Sequence, residues 1–192
     1  MGEGTRERII KAGAAVMHRK GFLGAGLQEM LEAAGAPRGS FYHYFKSKED
    51  FALAVVDHYQ ANLTERSRAL LEDKGVSPLV RLRNYFERYR ANFLETGCTL
   101  GCPIGNLSQE MGDLSEPLQG RLDGCMSAMT DIFGKLIAEG QATGEIKAGL
   151  DSREAAEFLM AAWQGTLLRM KVAKSPAPID VFFAFAFDLL AA

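Results

Sequence analysis

The amino-acid sequence predicts an all-α protein, and three observations support this prediction. Apolar residues recur at steps of three and four along most of the chain, which is the period of a helix with one buried face. No stretch shows sustained alternation with β-branched enrichment, and no Asn-Gly or Asp-Gly pair marks a hairpin. Residue types that start or end helices separate the periodic segments. We therefore expect about nine helices.

Three helices are predicted in the first quarter of the chain, and the second and third of them are short. The first runs from about Thr5 to Lys20 and ends at Gly21, the second covers Leu27–Ala34, and the third reaches from Pro37 to Phe45. A glycine lies in the short connection between the second and third helices, as in a helix-turn-helix.

Six further helices are predicted in the remaining part of the chain. They are a fourth over Ser47–Leu71 with Ser47 and Asp50 as a capping pair, a fifth over Leu79–Glu95 after Ser77 and Pro78, a sixth from Pro103 to Gly112, a seventh that follows Ser115, an eighth over about 152–173 with Asp151 and Glu154 as a capping pair, and a ninth over about Ile179–Leu190.

Composition restricts the class of protein further. The 192 residues are 47% apolar and 24% charged, which is typical of a globular protein and excludes global disorder. The longest apolar run, Val181–Phe187, is too short to cross a bilayer, and the N-terminus lacks the form of a secretion signal. Three cysteines are too few for a disulfide scaffold. We expect a cytoplasmic protein with no membrane contact.

The charge distribution favours contact of the N-terminal region with a polyanion. Residues 1–50 carry eight basic and six acidic side chains, whereas the rest of the chain carries fourteen and eighteen. In the third helix, Phe41 and Phe45 are four residues apart and are expected to face the core. The residues then expected to project outward are Arg38, Ser40, Tyr42 and His43. Such donors and aromatic rings reach base edges and phosphates in a major groove.

These segments resemble the TetR family of transcriptional regulators. The similarity lies in Gly21-Phe22, in Ala33-Ala34-Gly35, and in the run Arg38–Phe45 followed by Lys48-Glu49. It implies a homodimer that binds a pseudo-palindromic operator in double-stranded DNA and is released by a small-molecule inducer. It also implies a DNA-binding domain over residues 1–46 and a ligand-sensing and dimerisation domain over 47–192.

The resemblance also implies the residues that contact DNA. The candidates are Arg38, Gly39, Ser40, Tyr42, His43, Tyr44 and, as a phosphate contact, Lys48. One departure concerns Ala25-Gly26 at the start of the second helix, where the family commonly has a hydroxyl residue. Glycine still serves as a helix cap, but a hydroxyl contact to phosphate is lost.

Cys102 is the candidate sensor residue. It immediately precedes Pro103, which suits the first position of a helix, so the helix dipole favours the reactive thiolate there. The alternative is a small buried residue at a tight helix start. Gly101-Cys102 and Gly105-Asn106-Leu107 resemble the NemR/AcuR-like subgroup of the family. This resemblance implies sensing of an electrophile or oxidant, or of a small α,β-unsaturated acid.

Three further residues are assigned to the sensor. Cys98 lies four residues before Cys102, and its separation from that thiol is not set by the sequence. Asn106 is taken from the subgroup motif. Trp163 is either the wall of a ligand pocket or an anchor in an interface. Cys125 lies on an apolar helix face and is expected in the core.

The last two helices, about 152–173 and 179–190, are predicted to join two subunits. Phenylalanines and aliphatic residues surround the ninth helix, so it must be buried on more than one side. A four-helix contact between two chains satisfies this requirement, and a central core helix in a monomer is the alternative.

The sequence predicts no catalytic residue, no cofactor and no metal site. All three histidines lie in the first third of the chain, and Cys98 with Cys102 alone makes a poor zinc pattern. No phosphate loop or nucleophile motif is present. A helical-bundle enzyme and a thiol-based metal sensor are the alternative functions.

Overall fold

The computed structural model describes residues 4–192, and this part of the chain forms nine α-helices. They are α1 (Thr5–Gly24), α2 (Leu27–Ala34), α3 (Arg38–Tyr44), α4 (Lys48–Leu71), α5 (Pro78–Glu95), α6 (Pro103–Met111), α7 (Glu116–Ala142), α8 (Ser152–Ala173) and α9 (Ala177–Leu190). The only extended pairing among the described residues is an isolated antiparallel bridge between Ile146 and Ala191. The predicted all-α fold is confirmed.

The chain divides into two compact units. The first comprises the residues up to Leu63 together with Pro103–Cys125, and the second comprises Thr64–Cys102 together with Met126–Ala192. The predicted boundary at residue 46 lies within the first unit, so the domains 1–46 and 47–192 stay a prediction. Residues 1–3 of the predicted first domain lie outside the described residues.

The first unit packs α1, α2, α3 and the start of α4 around a small aromatic core. Phe41 and Phe51 are almost fully buried, and their ring centroids lie 5.5 Å apart. Gly13 of α1 permits this packing, because a Cβ there would lie 2.2 Å from the Phe51 ring. Interlocking rings of this kind hold short helices that would not persist alone.

The core of the second unit is also aromatic. The Phe86 ring centroid lies 4.9 Å from those of both Trp163 and Phe182, and 5.3 Å from that of Phe133. Beside this core, the buried guanidinium of Arg81 donates to the Leu71 carbonyl at 3.0 Å and to a Glu139 carboxylate oxygen at 2.5 Å. The charge of Arg81 is therefore paired within the fold.

Most helices begin and end near the capping residues and glycines from which their ends were predicted. Gly21 has φ 77° and ψ 175°, so the regular helix is broken there, as predicted, although one further turn continues to Gly24. Asp151 accepts hydrogen bonds from the Arg153 and Glu154 amides, both at 2.9 Å.

Two predicted helix starts differ in detail. Ser77 occupies the cap position of α5 but makes no side-chain cap bond. The Leu79 amide instead donates to Glu145 at 3.3 Å. Helix α9 starts at Ala177 rather than Ile179, because Pro178 fits the first turn of a helix, where no amide donor is needed.

Candidate functional site

Two buried phenylalanines hold helix α3 against the core of the first unit. Phe41 and Phe45 are 1% and 2% exposed, and their ring centroids lie 5.3 Å apart. Phe45 also packs on Phe51 at 4.9 Å between centroids, and the Arg6 guanidinium lies 5.4 Å from the Phe45 ring centroid. The predicted inner face of this helix is confirmed, and its opposite face is therefore held in a defined orientation.

The opposite face of α3 carries the predicted DNA-contacting side chains. The structure brings together on this one helix Arg38, Gly39, Ser40, Tyr42, His43 and Tyr44, all of them exposed except Ser40, which is half-buried. Tyr42 is 59% exposed, and the ring of His43 packs edge-on against Tyr44 at 4.7 Å. A protein does not gain stability by exposing large aromatic rings, so this face fits a binding surface.

Lys48, the predicted phosphate contact, has partners within the protein. Its Nζ donates to the Phe22 carbonyl at 2.5 Å and lies 4.6 Å from the centroid of the Phe22 ring. Burial lowers the pKa of the Lys48 ammonium, and the Glu110 carboxylate acts in the opposite direction. A DNA phosphate must compete with Phe22 for this ammonium, and the phosphate contact stays a prediction.

Glu110 of α6 holds the broken end of α1, a role that the sequence did not reveal. Its two carboxylate oxygens accept hydrogen bonds from the Phe22 amide at 2.6 Å and the Leu23 amide at 2.7 Å. A Cβ on Gly21 would lie 2.6 Å from one of these oxygens, and Gly21 adopts a left-handed φ. Glycine is therefore required at 21 both by the backbone and by the carboxylate. We call Glu110, Gly21, Phe22 and Leu23 the Glu110 clamp.

The segment that leads to Cys102 has an unusual backbone. Four of its residues have positive φ: Gly97 at 65°, Cys98 at 56°, Leu100 at 66° and Gly101 at 70°. A left-handed conformation is costly for a non-glycine residue, so surrounding contacts must hold this loop. Cys98 is buried, and its amide donates to the Phe93 carbonyl at 2.7 Å.

The structure places three of the four predicted sensor residues in the second unit. Cys98 and Trp163 belong to its buried core, and Cys102, which is half-buried and directly precedes α6, packs against the same core. Asn106 lies in the first turn of α6 and belongs to the first unit. All three cysteines are thiols, and none forms a disulfide. Because the Trp163 ring is already enclosed by its own chain, it offers little surface to a second subunit.

Two tyrosines that the sequence analysis did not single out lie beside Cys102. Burial raises the pKa of Tyr85 well above its ordinary value, and the neighbouring Tyr89 and Cys102 add to this effect. Burial likewise raises the pKa of Tyr89, with Ser67 acting in the opposite direction. The two phenol rings lie 4.9 Å apart between centroids. Both therefore stay protonated at neutral pH.

Helices α8 and α9 expose an apolar stripe. Its members, each at least 39% exposed, are Phe158, Leu168, Val172, Val181, Phe185 and Leu189. Phe185 is the most exposed of them, at 74%. A cluster of large apolar side chains of this size favours association with another surface.

Comparison with known proteins assigns the chain to a family. The family description "Bacterial regulatory proteins, tetR family" matches residues 9–55, and "Tetracyclin repressor-like, C-terminal domain" matches residues 78–186. The transcriptional repressor DhaR of Mycobacterium sp. strain GP1 is 37% identical over 97% of this chain and 92% of its own length.

The chain belongs to the TetR family of transcriptional regulators. The transcriptional regulator AcuR of Cereibacter sphaeroides is 35% identical over 93% of this chain and 81% of its own. The reduced form of Escherichia coli NemR has a crystal structure that is 28% identical, covers 98% of both chains and superposes with a TM-score of 0.89. The predicted family and its NemR- and AcuR-type relatives are therefore confirmed.

Membership establishes the general function of this TetR-family regulator. It is a helix-turn-helix transcriptional repressor, a class that binds DNA, dimerises and responds to small molecules, and it is not an enzyme. Residues 4–192 contain no group of three or more His, Cys, Asp or Glu side chains arranged to hold a metal ion. Within the same residues, every helix is too short or too polar to cross a membrane.

Proposed function

We propose that this regulator binds a palindromic operator through α3 and is released when a small electrophile, an oxidant or a small unsaturated acid acts at Cys102. The observation that carries the DNA-binding part is the exposed aromatic and basic face of α3, anchored by Phe41 and Phe45. Two such helices, one from each subunit, fit successive major grooves about 34–36 Å apart or a multiple of that distance.

The DNA-contacting residues we propose are those of the exposed face of α3. Replacing Tyr42 or His43 with alanine is expected to weaken operator binding by about 5- to 150-fold, because a direct base contact contributes roughly 1–3 kcal/mol. Fluorescence anisotropy at several salt concentrations measures this change, with an operator first selected from a random duplex library.

Leu114→Ala provides a matched control for these variants, since Leu114 is an exposed apolar residue outside α3. This variant is expected to bind the operator like the original protein. If Tyr42→Ala and His43→Ala bind the operator as tightly as Leu114→Ala while all three remain dimeric, α3 is not the recognition helix.

The dimer is proposed to form through the apolar stripe of α8 and α9. In a single chain this stripe leaves six large apolar side chains exposed to water. Pairing the two helices with those of a second copy buries the stripe in a four-helix contact and presents two copies of α3 together. TetR-family regulators form dimers, which supports this assembly. In a symmetric dimer both chains contribute the same surface patch.

Two arguments support the proposed sensor role of Cys102: its position in the structure, and the similarity of the chain to NemR and AcuR. Cys102 is half-buried next to two phenols, and α6, which starts at the next residue, carries the Glu110 clamp on the end of α1. A modification that moves the start of α6 therefore acts on a helix that grips the backbone next to the helix-turn-helix. A switch of this type needs a difference of a few kcal/mol between two states.

Replacing Cys102 with serine tests the sensor. We expect the variant to bind the operator normally and to remain bound after treatment with N-ethylmaleimide or hydrogen peroxide, because serine forms no thioether or sulfenic acid. Cys125→Ser is the matched control and should still release DNA, and the Cys98→Ser variant measures whether Cys98 takes part in the response. Normal release from the Cys102→Ser protein contradicts the proposal.

A further inference from the structure

One peptide group of the first unit lies between two opposite charges. Lys48 Nζ donates a hydrogen bond to the Phe22 carbonyl at 2.5 Å. The Leu23 amide, which belongs to the same peptide group, donates to a Glu110 carboxylate oxygen at 2.7 Å. The C=O and N–H of a trans peptide group point in opposite directions, and the described residues contain no cis peptide bond. An ammonium therefore faces the oxygen end of this dipole, and a carboxylate faces its nitrogen end.

Further contacts fix both charges on this peptide group. The Phe22 amide donates to the second Glu110 oxygen at 2.6 Å, and the Phe22 ring centroid lies 4.6 Å from Lys48 Nζ. The carboxylate fits closely, because a Cβ on Gly21 would lie 2.6 Å from one of its oxygens. All of these residues belong to the first unit. We call Lys48, the Phe22–Leu23 peptide group and Glu110 the peptide-bridged ion pair.

The two hydrogen bonds to this peptide group strengthen each other. A carboxylate on the N–H makes the carbonyl oxygen a better acceptor, and an ammonium on that oxygen makes the N–H a better donor. The charges also attract each other directly, since the Glu110 carboxylate raises the pKa of Lys48 against the larger lowering effect of burial. Glu110 therefore favours the state in which the Lys48 ammonium is charged and bound to Phe22.

A DNA phosphate that binds Lys48 has to compete with this arrangement. Lys48 is half-buried at the start of α4, four residues after the end of α3. To bind a phosphate, its ammonium has to leave the Phe22 carbonyl, and the charge of Glu110 opposes that exchange. A neutral acceptor at the broken end of α1 would oppose the exchange less, because it carries no charge. The carboxylate therefore has a consequence for DNA binding as well as for the end of α1.

We propose that Glu110 restrains Lys48 through the Phe22–Leu23 peptide group and thereby lowers the affinity of the protein for operator DNA. The inference rests on the proposed phosphate contact of Lys48 and deepens it. It makes Glu110 a positioning residue, which sets operator affinity through Lys48 and without touching DNA. The sign of the effect is diagnostic. Neutralising Glu110 should tighten operator binding, whereas a purely structural role predicts weaker binding from a loosened α1.

The first experiment measures the ion pair without DNA. The full-length protein and its Glu110→Gln variant are treated with a low concentration of N-acetoxysuccinimide, and mass spectrometry follows the acetylation of each lysine. We expect Lys48 to react about 3-fold faster or more in the variant, because its nitrogen is held less tightly by Phe22. Lys46 is exposed, serves as the internal reference and should react at the same rate in both proteins. An unchanged ratio of the Lys48 and Lys46 rates overturns the ion pair.

The second experiment is a double-mutant cycle on operator binding. Fluorescence anisotropy at several salt concentrations compares the original protein with Glu110→Gln, with Lys48→Met and with the variant that carries both substitutions. Glu110→Gln should bind about 3- to 10-fold more tightly, with a salt slope steeper by up to about 0.9, because one more phosphate is neutralised. In the Lys48→Met background the same substitution should change the affinity by less than about twofold. Circular dichroism and a stoichiometric titration confirm that each protein is folded and give its active fraction.

Glu116→Gln is the matched control for general electrostatics, because it removes the same charge from an exposed position of the first unit. It should leave the operator affinity within about twofold of the original value. The proposal is overturned if Glu110→Gln binds the operator no more tightly than the original protein. It is also overturned if Glu116→Gln tightens binding equally, or if Glu110→Gln tightens it equally in the Lys48→Met background.

The same measurements separate this inference from the proposed function. If the original protein prefers no duplex sequence, the proposed operator binding fails and the inference fails with it. If Lys48→Met keeps the affinity and the salt slope of the original protein, the phosphate contact and the inference fail, while recognition through α3 stands. If Lys48→Met weakens binding and flattens the slope but Glu110→Gln does not tighten it, the phosphate contact stands and only the restraint by Glu110 fails.

Discussion

The Glu110 clamp gives the sharpest prediction about the first unit, and the substitution that tests it is Glu110→Gln. Glutamine has almost the shape of glutamate but carries one oxygen in place of two, with an amino group at the other position. The oxygen can still accept one of the two hydrogen bonds from Phe22 and Leu23. The amino group then opposes the second N–H, because both are donors. The substitution therefore removes one hydrogen bond and leaves the other with an uncharged acceptor.

The size of the effect follows from the two contacts. Hydrogen bonds to a charged acceptor contribute about 1.5–3 kcal/mol each, and the lower end applies here because the Leu23 contact is exposed and the Phe22 contact only partly buried. We expect Glu110→Gln to lower the free energy of unfolding by roughly 1–2 kcal/mol. For a chain of this length that corresponds to a decrease in Tm of about 2–8 °C.

Urea denaturation measures the global loss, and amide hydrogen exchange locates it. Exchange at Phe22 and Leu23 should accelerate by about 5- to 30-fold, while amides in the second unit keep their protection. Glu116→Gln is the matched control, because Glu116 is an exposed glutamate of the same unit at the start of α7. If Glu110→Gln and Glu116→Gln give the same stability and the same exchange at Phe22 and Leu23, the clamp does not hold α1.

Two further predictions concern the second unit. Phe185→Glu puts a charge in the apolar stripe and should convert the dimer into a monomer at micromolar concentration in analytical ultracentrifugation, whereas Leu114→Glu outside the stripe should remain dimeric; a dimeric Phe185→Glu protein excludes this interface. Lys74 and Arg81 lower the pKa of Glu139 below its ordinary value of 4.5. A carboxylate with a depressed folded pKa stabilises the fold above its unfolded pKa, and that stabilisation is lost as the pH falls through the folded value. Glu139→Gln should therefore flatten the decrease in unfolding free energy below about pH 4.5, and an unchanged pH profile would contradict the pairing.

Local sequence signals determined the helices and the face of α3. Apolar spacing and terminal residues predicted each element to within a few positions, because helix periodicity and capping act over one or two turns. The same locality explains why the burial of Phe41 and Phe45 could be anticipated, since residues four apart share one side of a helix. The family resemblance then supplied the prediction that the opposite side contacts DNA.

Contacts between residues distant in sequence required the tertiary structure. Glu110 lies 87 and 88 residues after the amides it accepts from, and no periodic signal links such positions. The same holds for Arg81 and Glu139, which lie 58 residues apart in the sequence. A pattern within one helix specifies which side is buried, but which neighbour covers that side depends on how all the helices pack. The sequence alone therefore determined the helices and the family, and only the packed structure decided which polar groups meet.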